Sequence, residues 1–283
     1  MYFLVGAVFF IWLTLFYQEK QRNLLVNFFD IGQGDAIFVE APGGNQILID
    51  GGPGDRVLAK LGEELPFWDR SLDLLVLTHP HADHLDGLLE VLKRYKVGMV
   101  VETGDEYDTP EYQEWRNLLR EKNIPVVLAR FGQEISLGGG VRLDIFYPFR
   151  DYQGVLLKNP HEANIVSRLS YGRDSFLFTG DGEKATEYEM LFIARAGTYG
   201  NFLNLSSDVL KVGHHGSKTS SSEDFARAVG PNLAVISAGK DNSYGHPHQA
   251  TLDTLAKLNI PVSRTDEKGD IKIESDGEKW WFK

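Results

Sequence analysis

The chain has no cysteine, which removes both a disulfide framework and any thiolate metal site, so a metal centre here would have to be built from imidazole and carboxylate. Positive charge is scarce as well. Against 40 Asp and Glu stand 29 Lys and Arg, a formal charge of −11. That balance argues against a generally basic surface that holds nucleic acid by counterion release. A local positive site made by bound dications stays open, because such an ion is the largest charge in its neighbourhood. There is no repeat of fixed period and no low-complexity linker. The one long uncharged run is the first 17 residues, "MYFLVGAVFFIWLTLFY", followed by "QEKQRN". It is at the short end of what spans a bilayer, Trp12 and Tyr17 suit an interface, and no basic stretch precedes it as in a cleaved signal peptide. The expectation is an N-terminal hydrophobic helix over residues 1–18, a single-pass membrane anchor with a signal segment as its rival. Lys20 and Arg22 pull the body only weakly toward the cytoplasm, so the side it faces is undetermined.

The other 260 or so residues, 24–283, are expected to form one domain; with 283 residues and 42% hydrophobic content overall, the chain can build a sizeable core. "LLVNFFDIGQGDAIFVEAP" and "QILIDGG" read as short strands with glycine turns, and "SLDLLVLT" as a buried strand. Apolar residues at helical spacing follow at Leu85, Leu88, Leu89 and Leu92. "PEYQEWRNLLREKN" is a second helix with Pro110 in its first turn. The runs "PVVLAR", "VRLDIFYP", "NIVSRLSYG" and "SFLFTGD" are strands, Glu183 to about Ala196 a helix, and "DVLKVGHHGS" a strand ending in histidines. Helices "SSEDFARAVG" and "QATLDTLAKLN" alternate with strand "LAVISAG" and the terminal strands "PVSRTD" and "DIKIESDGEKWWFK". Such an order predicts an α/β fold of two packed mixed sheets with external helices.

Eight histidines are present, and three of them lie with an aspartate in "LTHPHADHLDG". His79 and His81, two residues apart on an extended loop, can reach one ion. Asp83 and His84 sit at the start of the following helix and point elsewhere, which suggests a second ion. Two metals a few ångströms apart can clamp the attacking and leaving oxygens of a hydrolysis.

"THPHADH" resembles the H-x-H-x-D-H signature of the metallo-β-lactamase superfamily. With "FDIGQGDAIFVEAPGGNQILIDGG", "FLFTGD", "LKVGHHGSKTSSS" and "NSYGHPH", the chain from about Asn27 onward is similar to the metallo-β-lactamase-like domain of ComEC-type competence proteins, which internalise DNA. The resemblance implies an αββα sandwich and two divalent ions, zinc or manganese. It gives His79 and His81 to one ion, Asp83 and His84 to the other, and Asp181 as the bridging carboxylate. One histidine of "KVGHHGS" would join the second ion: His214, nearest the strand end, is preferred to His215. The third ligand of the first ion is His161, with Asn164 as the alternative. Asp50 would orient a ligand. Asp30, Gln33 and Asp35 fit either a similar supporting role or plain turn chemistry. His246 is expected to protonate a leaving alkoxide or bind the scissile phosphate, with His248 beside it. Ser217 and Lys218 would contact a phosphate chain, although the serine run equally suits a helix cap.

The expected function is a metal-dependent hydrolase, a nuclease or phosphodiesterase acting on DNA in its uptake by attack of a metal-bound hydroxide, with Asp83 and His246 as catalytic groups. A hydrolase of a small ester, lactam or thioester and a non-catalytic metal scaffold are the alternatives. With a single hydrophobic run in the sequence, transport of DNA would call for a separate channel protein as partner.

Overall fold

The computed structural model describes residues 23–197 and 202–283. The expected anchor, residues 1–18, lies outside them, and so does the hydrophobic helix placed ahead of the sandwich. Among the described residues no helix is long and apolar enough to cross a membrane, and the single-pass membrane placement is corrected on that finding.

Two sheets form the centre. The first runs β15-β14-β1-β2-β3-β4-β5-β6, with β1 (Leu24–Phe28), β2 (Ile37–Glu40), β3 (Gln46–Ile49), β4 (Ser71–Val76), β5 (Lys96–Glu102), β6 (Val126–Leu128), β14 (Ile271–Ser275) and β15 (Trp280–Phe282). The C-terminal strands thus close onto the N-terminal one, β14 antiparallel to β1 with Leu24 opposite Ser275. The second runs β13-β12-β11-β10-β9-β8-β7, with β7 (Glu134–Ser136), β8 (Val141–Tyr147), β9 (Val166–Tyr171), β10 (Asp174–Phe178), β11 (Val209–Lys211), β12 (Leu233–Ile236) and β13 (Val262–Arg264). Each sheet is antiparallel on one side and parallel on the other, the change falling at β3 and at β10.

Period-two alternation sorts the side chains into layers. Ile37, Val39, Leu74 and Val76 point between the sheets, where they meet Leu143, Ile145, Phe176, Phe178 and Val209. Phe38 and Leu75 point the other way, under α1 (Arg56–Glu64), α2 (Ala82–Arg94) and α3 (Pro110–Glu121), which bury Leu61, Leu88 and Trp115 there. The far face of the second sheet is covered by α4 (Lys184–Ala196), α5 (Glu223–Val229) and α6 (Gln249–Lys257) through Met190, Phe225 and Leu255. The order of layers is therefore helix, sheet, sheet, helix. One terminal strand is shorter than expected: "PVSRTD" turns after Arg264 into a short helix, α7 (Thr265–Lys268), because Thr265 is drawn inward to donate to the Ala238 carbonyl at 3.1 Å.

The parallel strands send their C-terminal ends to one edge, where open α/β sheets place ligands. Asp50 follows β3, His79 follows β4, Asp181 follows β10 and the His214–His215 pair follows β11. Helix α2 is seated closely against that edge. A Cβ on Gly87 would be 1.9 Å from the Gly51 carbonyl oxygen, so only glycine at both positions lets the helix start lie on the strand end.

Candidate metal centre

Two groups of ligand atoms meet at this edge. In the first, His79 Nε2 and His161 Nε2 each lie 3.0 Å from His81 Nδ1. His79 and His81 come from the extended loop after β4, and His161 from a 3-10 turn before β9 that is capped by the Asn159 side chain. In the second, His215 Nε2 is 3.2 Å from Asp83 Oδ2 and 3.4 Å from Asp181 Oδ1, and His84 Nε2 is 3.4 Å from the same Asp181 oxygen. Asp181 spans both: its Oδ2 is 3.9 Å from His79 Nε2.

Partners on the far side of each ring fix the tautomers. Asp50 Oδ2 sits 2.8 Å from His84 Nδ1, while the Asp50 carboxylate also accepts from the Thr78 amide at 2.8 Å and the Thr78 hydroxyl at 2.7 Å. His215 Nδ1 donates to the Ser237 carbonyl at 3.0 Å. Each ring thereby aims its Nε2 inward, where a bound cation would take the place of the second proton. Asp50 holds its place at a φ of 58°, a strained backbone for a residue with a side chain.

The donor set fits divalent cations. His84 Nε2, Asp181 Oδ1 and His215 Nε2 are buried without a hydrogen-bond partner, which is costly unless an ion satisfies them. Burial opposes charge on Asp181, yet His215 and His84 hold its carboxyl well below the usual range. Burial likewise opposes the charged form of His215, but Asp181 and Asp35 push it up to about 10, and Asp181 with Asp50 raise His84 well above its ordinary value. The carboxylates thus create a field that favours positive charge among them. The first group is the reverse: burial lowers His79 well below its ordinary value and His161 to about 4, leaving neutral imidazoles, the form that ligates a metal.

The structure places His215 in the four-residue group, whereas His214, preferred from the sequence, falls with His161 and Glu183. Two successive left-handed residues, φ 49° at His214 and 52° at His215, turn the second ring inward and leave the first at the mouth. There His214 Nε2 is 3.7 Å from Asp181 Oδ2, and its Nδ1 lies 3.3 Å from Thr219 Oγ1 and 3.6 Å from Glu183 Oε1.

Asn164 is not among the ligand atoms. Its amide donates to the Thr179 carbonyl at 2.8 Å and the Ile165 carbonyl at 3.2 Å, and its oxygen accepts from the Asp181 amide at 3.0 Å. It braces the turn that carries Asp181. His246 stands at the mouth, its ring 5.6 Å from that of His214, and its Nδ1 is 3.3 Å from Gln33 Nε2. Gln33 Oε1 accepts from the Gly239 amide at 3.1 Å, so Gln33 presents its NH2 to His246. Asp35 pairs with Lys211 and faces His215. Asp30 caps its own turn by accepting from the Gly32 amide at 3.3 Å. His248 Nδ1 accepts from the Lys218 amide at 3.2 Å and Ser217 Oγ contacts Thr219 Oγ1 at 3.0 Å, which makes these residues the frame of the 217–219 turn.

Sequence reasoning missed Thr78, Glu183, Ser237 and Lys211. Only Lys211 carried a signal, a lone charge inside the apolar run "VLKV".

The sequence matches the metallo-beta-lactamase superfamily over residues 29–240. The chain belongs to that superfamily. Its members are generally metal-dependent hydrolases. Among curated relatives of this chain, ComE operon protein 3 of Bacillus subtilis is 33% identical over 265 residues, covering 87% of this chain and 32% of the relative. Recombination protein 2 of Haemophilus influenzae is 30% identical over 266 residues, covering 92% of this chain and 30% of the relative. The chain therefore spans about a third of the length of these competence-related, ComEC-type relatives. Among solved structures, CmlA, a diiron beta-hydroxylase from Streptomyces venezuelae, shares the fold with a TM-score of 0.59 at 17% identity, covering 90% of this chain and 54% of that one.

Proposed function

We propose that the chain is a metal-dependent phosphodiesterase that hydrolyses DNA in the course of DNA uptake. The observation that carries the chemistry is the division of Asp181, whose Oδ1 faces His84 and His215 while Oδ2 faces His79. His79, His81 and His161 would hold one ion and Asp83, His84, Asp181 and His215 the other, and the nitrogen and oxygen donors suit zinc or manganese. Two such ions, when bound, polarise the phosphodiester and lower the pKa of water at the site.

The chain's own groups supply the rest. The Asp83 side chain is 32% exposed while those of His84 and His215 are buried, so its carboxylate lies at the mouth. Burial opposes its charge, yet His84 and His215 hold it well below the usual range, so it would orient the attacking water as a hydrogen-bond acceptor. Because Gln33 donates toward His246 Nδ1, the ring carries its proton on Nε2 and offers it to a phosphate oxygen. Burial and neighbouring histidines push His246 down to about 4, so it serves better as a neutral hydrogen-bond donor to phosphate than as a proton source for the leaving alkoxide. The likeness to competence proteins supports DNA as substrate. With a formal charge of −11, little affinity comes from the general surface, and binding should depend on the centre itself.

The test is hydrolysis of single-stranded DNA, double-stranded DNA and a chromogenic phosphodiester by the full chain loaded with manganese or zinc. Cleavage of DNA that is abolished by a chelator and by Asp83→Asn is the expected result. Inertness toward every phosphodiester, with turnover of a lactam or thioester, would move the reading to small-molecule hydrolysis.

A further inference from the structure

Lys211 ends β11 with no exposure at all, and a lysine in that position is unfavourable unless its charge is matched. Its ammonium forms a close ion pair with Asp35, itself 1% exposed, and donates to the Gly180 carbonyl at 3.3 Å. The other Asp35 oxygen is 3.3 Å from His215 Nδ1. The Asp35 backbone amide donates to the Asp83 carbonyl at 3.1 Å, and the preceding Gly34 is pressed so close that a Cβ there would be 2.3 Å from the same oxygen. One ion pair therefore lies against the frames of three residues of the second ligand group: it holds Asp83 through the Asp35 amide and Asp181 through its neighbour Gly180, and it sets the Asp35 carboxylate beside His215, whose Nδ1 donates to the Ser237 carbonyl. Neither partner has a contact with His79, His81 or His161 in these interactions.

We propose that the buried Lys211–Asp35 pair positions the Asp83–His84–Asp181–His215 group and sets its affinity for a divalent cation far more than that of the His79–His81–His161 group. The inference rests on the reading of these residues as metal ligands. Carboxylates behind metal-binding imidazoles are typically worth about 10- to 100-fold in affinity, and here the carboxylate needs a buried cation to hold it in place.

The discriminating variant is D35N/K211M in the full chain. It removes one charge of each sign, so the long-range field on both groups is nearly unchanged, and replacing a buried ion pair with neutral groups of similar volume is often tolerated by the fold. Competition titration with cobalt(II) against a chromophoric chelator, with the cobalt absorption spectrum recorded at each step, reads the two affinities apart. The expected result is a loss of about 10-fold or more at one site, accompanied by a changed spectrum of that site, and a clearly smaller loss at the other, which the pair reaches only through Asp181. Asp35→Asn is the second variant, isosteric and still offering Lys211 an acceptor. It should shift the ratio of the two affinities in the same direction. Wild-type affinities at both sites, or an equal loss at both that tracks thermal stability, would overturn the proposal by making the pair purely structural. A wild-type chain that binds no cobalt at all would overturn the ligand reading and this inference with it, whereas a failure to cleave DNA leaves the titration result standing.

Discussion

Replacing Asn164 by alanine removes three hydrogen bonds at a side chain with no exposure. The Thr179 carbonyl keeps a partner in the Gly182 amide at 2.9 Å. The Asp181 amide loses the acceptor that holds it. One buried donor without a partner costs about 1 to 3 kcal/mol, and with the lost packing the total is about 2 to 4 kcal/mol, a fall in Tm of roughly 5 to 10 °C for a domain of this size. Because the freed turn carries Asp181, which faces both ligand groups, affinity should fall at both sites. His161→Ala should behave in the opposite way: one site weakens about 10-fold or more, the other persists, and metal-free stability changes little. Thermal melts with and without chelator, together with competitive metal titration of the two variants, separate the cases. An Asn164 variant that keeps its metal-free Tm but releases a single ion would refute the reasoning, because it would make the amide a neighbour of the metal and not a brace.

Two further outcomes follow from burial and packing. Burial pushes the Asp105 carboxyl up to about 6, one of its oxygens accepting from Thr103 Oγ1 at 2.6 Å and the other having no hydrogen-bond partner. The folded form thus holds its proton more tightly than the unfolded chain, so Asp105 should make stability decline as pH rises from about 4 through 6, by about 3 kcal/mol in all, and Asp105→Asn should flatten that decline in denaturant titrations across the range. Gly87→Ala should displace the start of α2 from Gly51, lowering stability by more than about 2 kcal/mol and weakening the group that includes Asp83 and His84; a variant with wild-type stability and metal affinity would show that the approach is not tight.

Much of the site was legible because it follows from local pattern. His79 and His81 alternate on an extended loop, and Asp83 and His84 fall in the first turn of a helix whose leucines announce it. The choice between His214 and His215 was not legible, since it depends on two consecutive left-handed backbone residues that no propensity favours. Lys211 was hidden for a related reason: a lysine in a strand reads as exposed unless the carboxylate that meets it, 176 positions earlier at Asp35, is known to be there. The sandwich itself followed from alternating apolar strands and amphipathic helices, whereas the pairing of β14 with β1 joins the two ends of the described chain and has no local signature.

Asp181, divided between the two ligand groups, would serve two metal ions at once, and elemental analysis of the reconstituted chain is the decisive test. After loading with zinc or manganese and removal of free ion, the account predicts two ions per wild-type chain and a drop at both sites in Asp181→Asn. A wild-type chain that retains one ion or none, or an Asp181 variant that keeps both at full affinity, would contradict it.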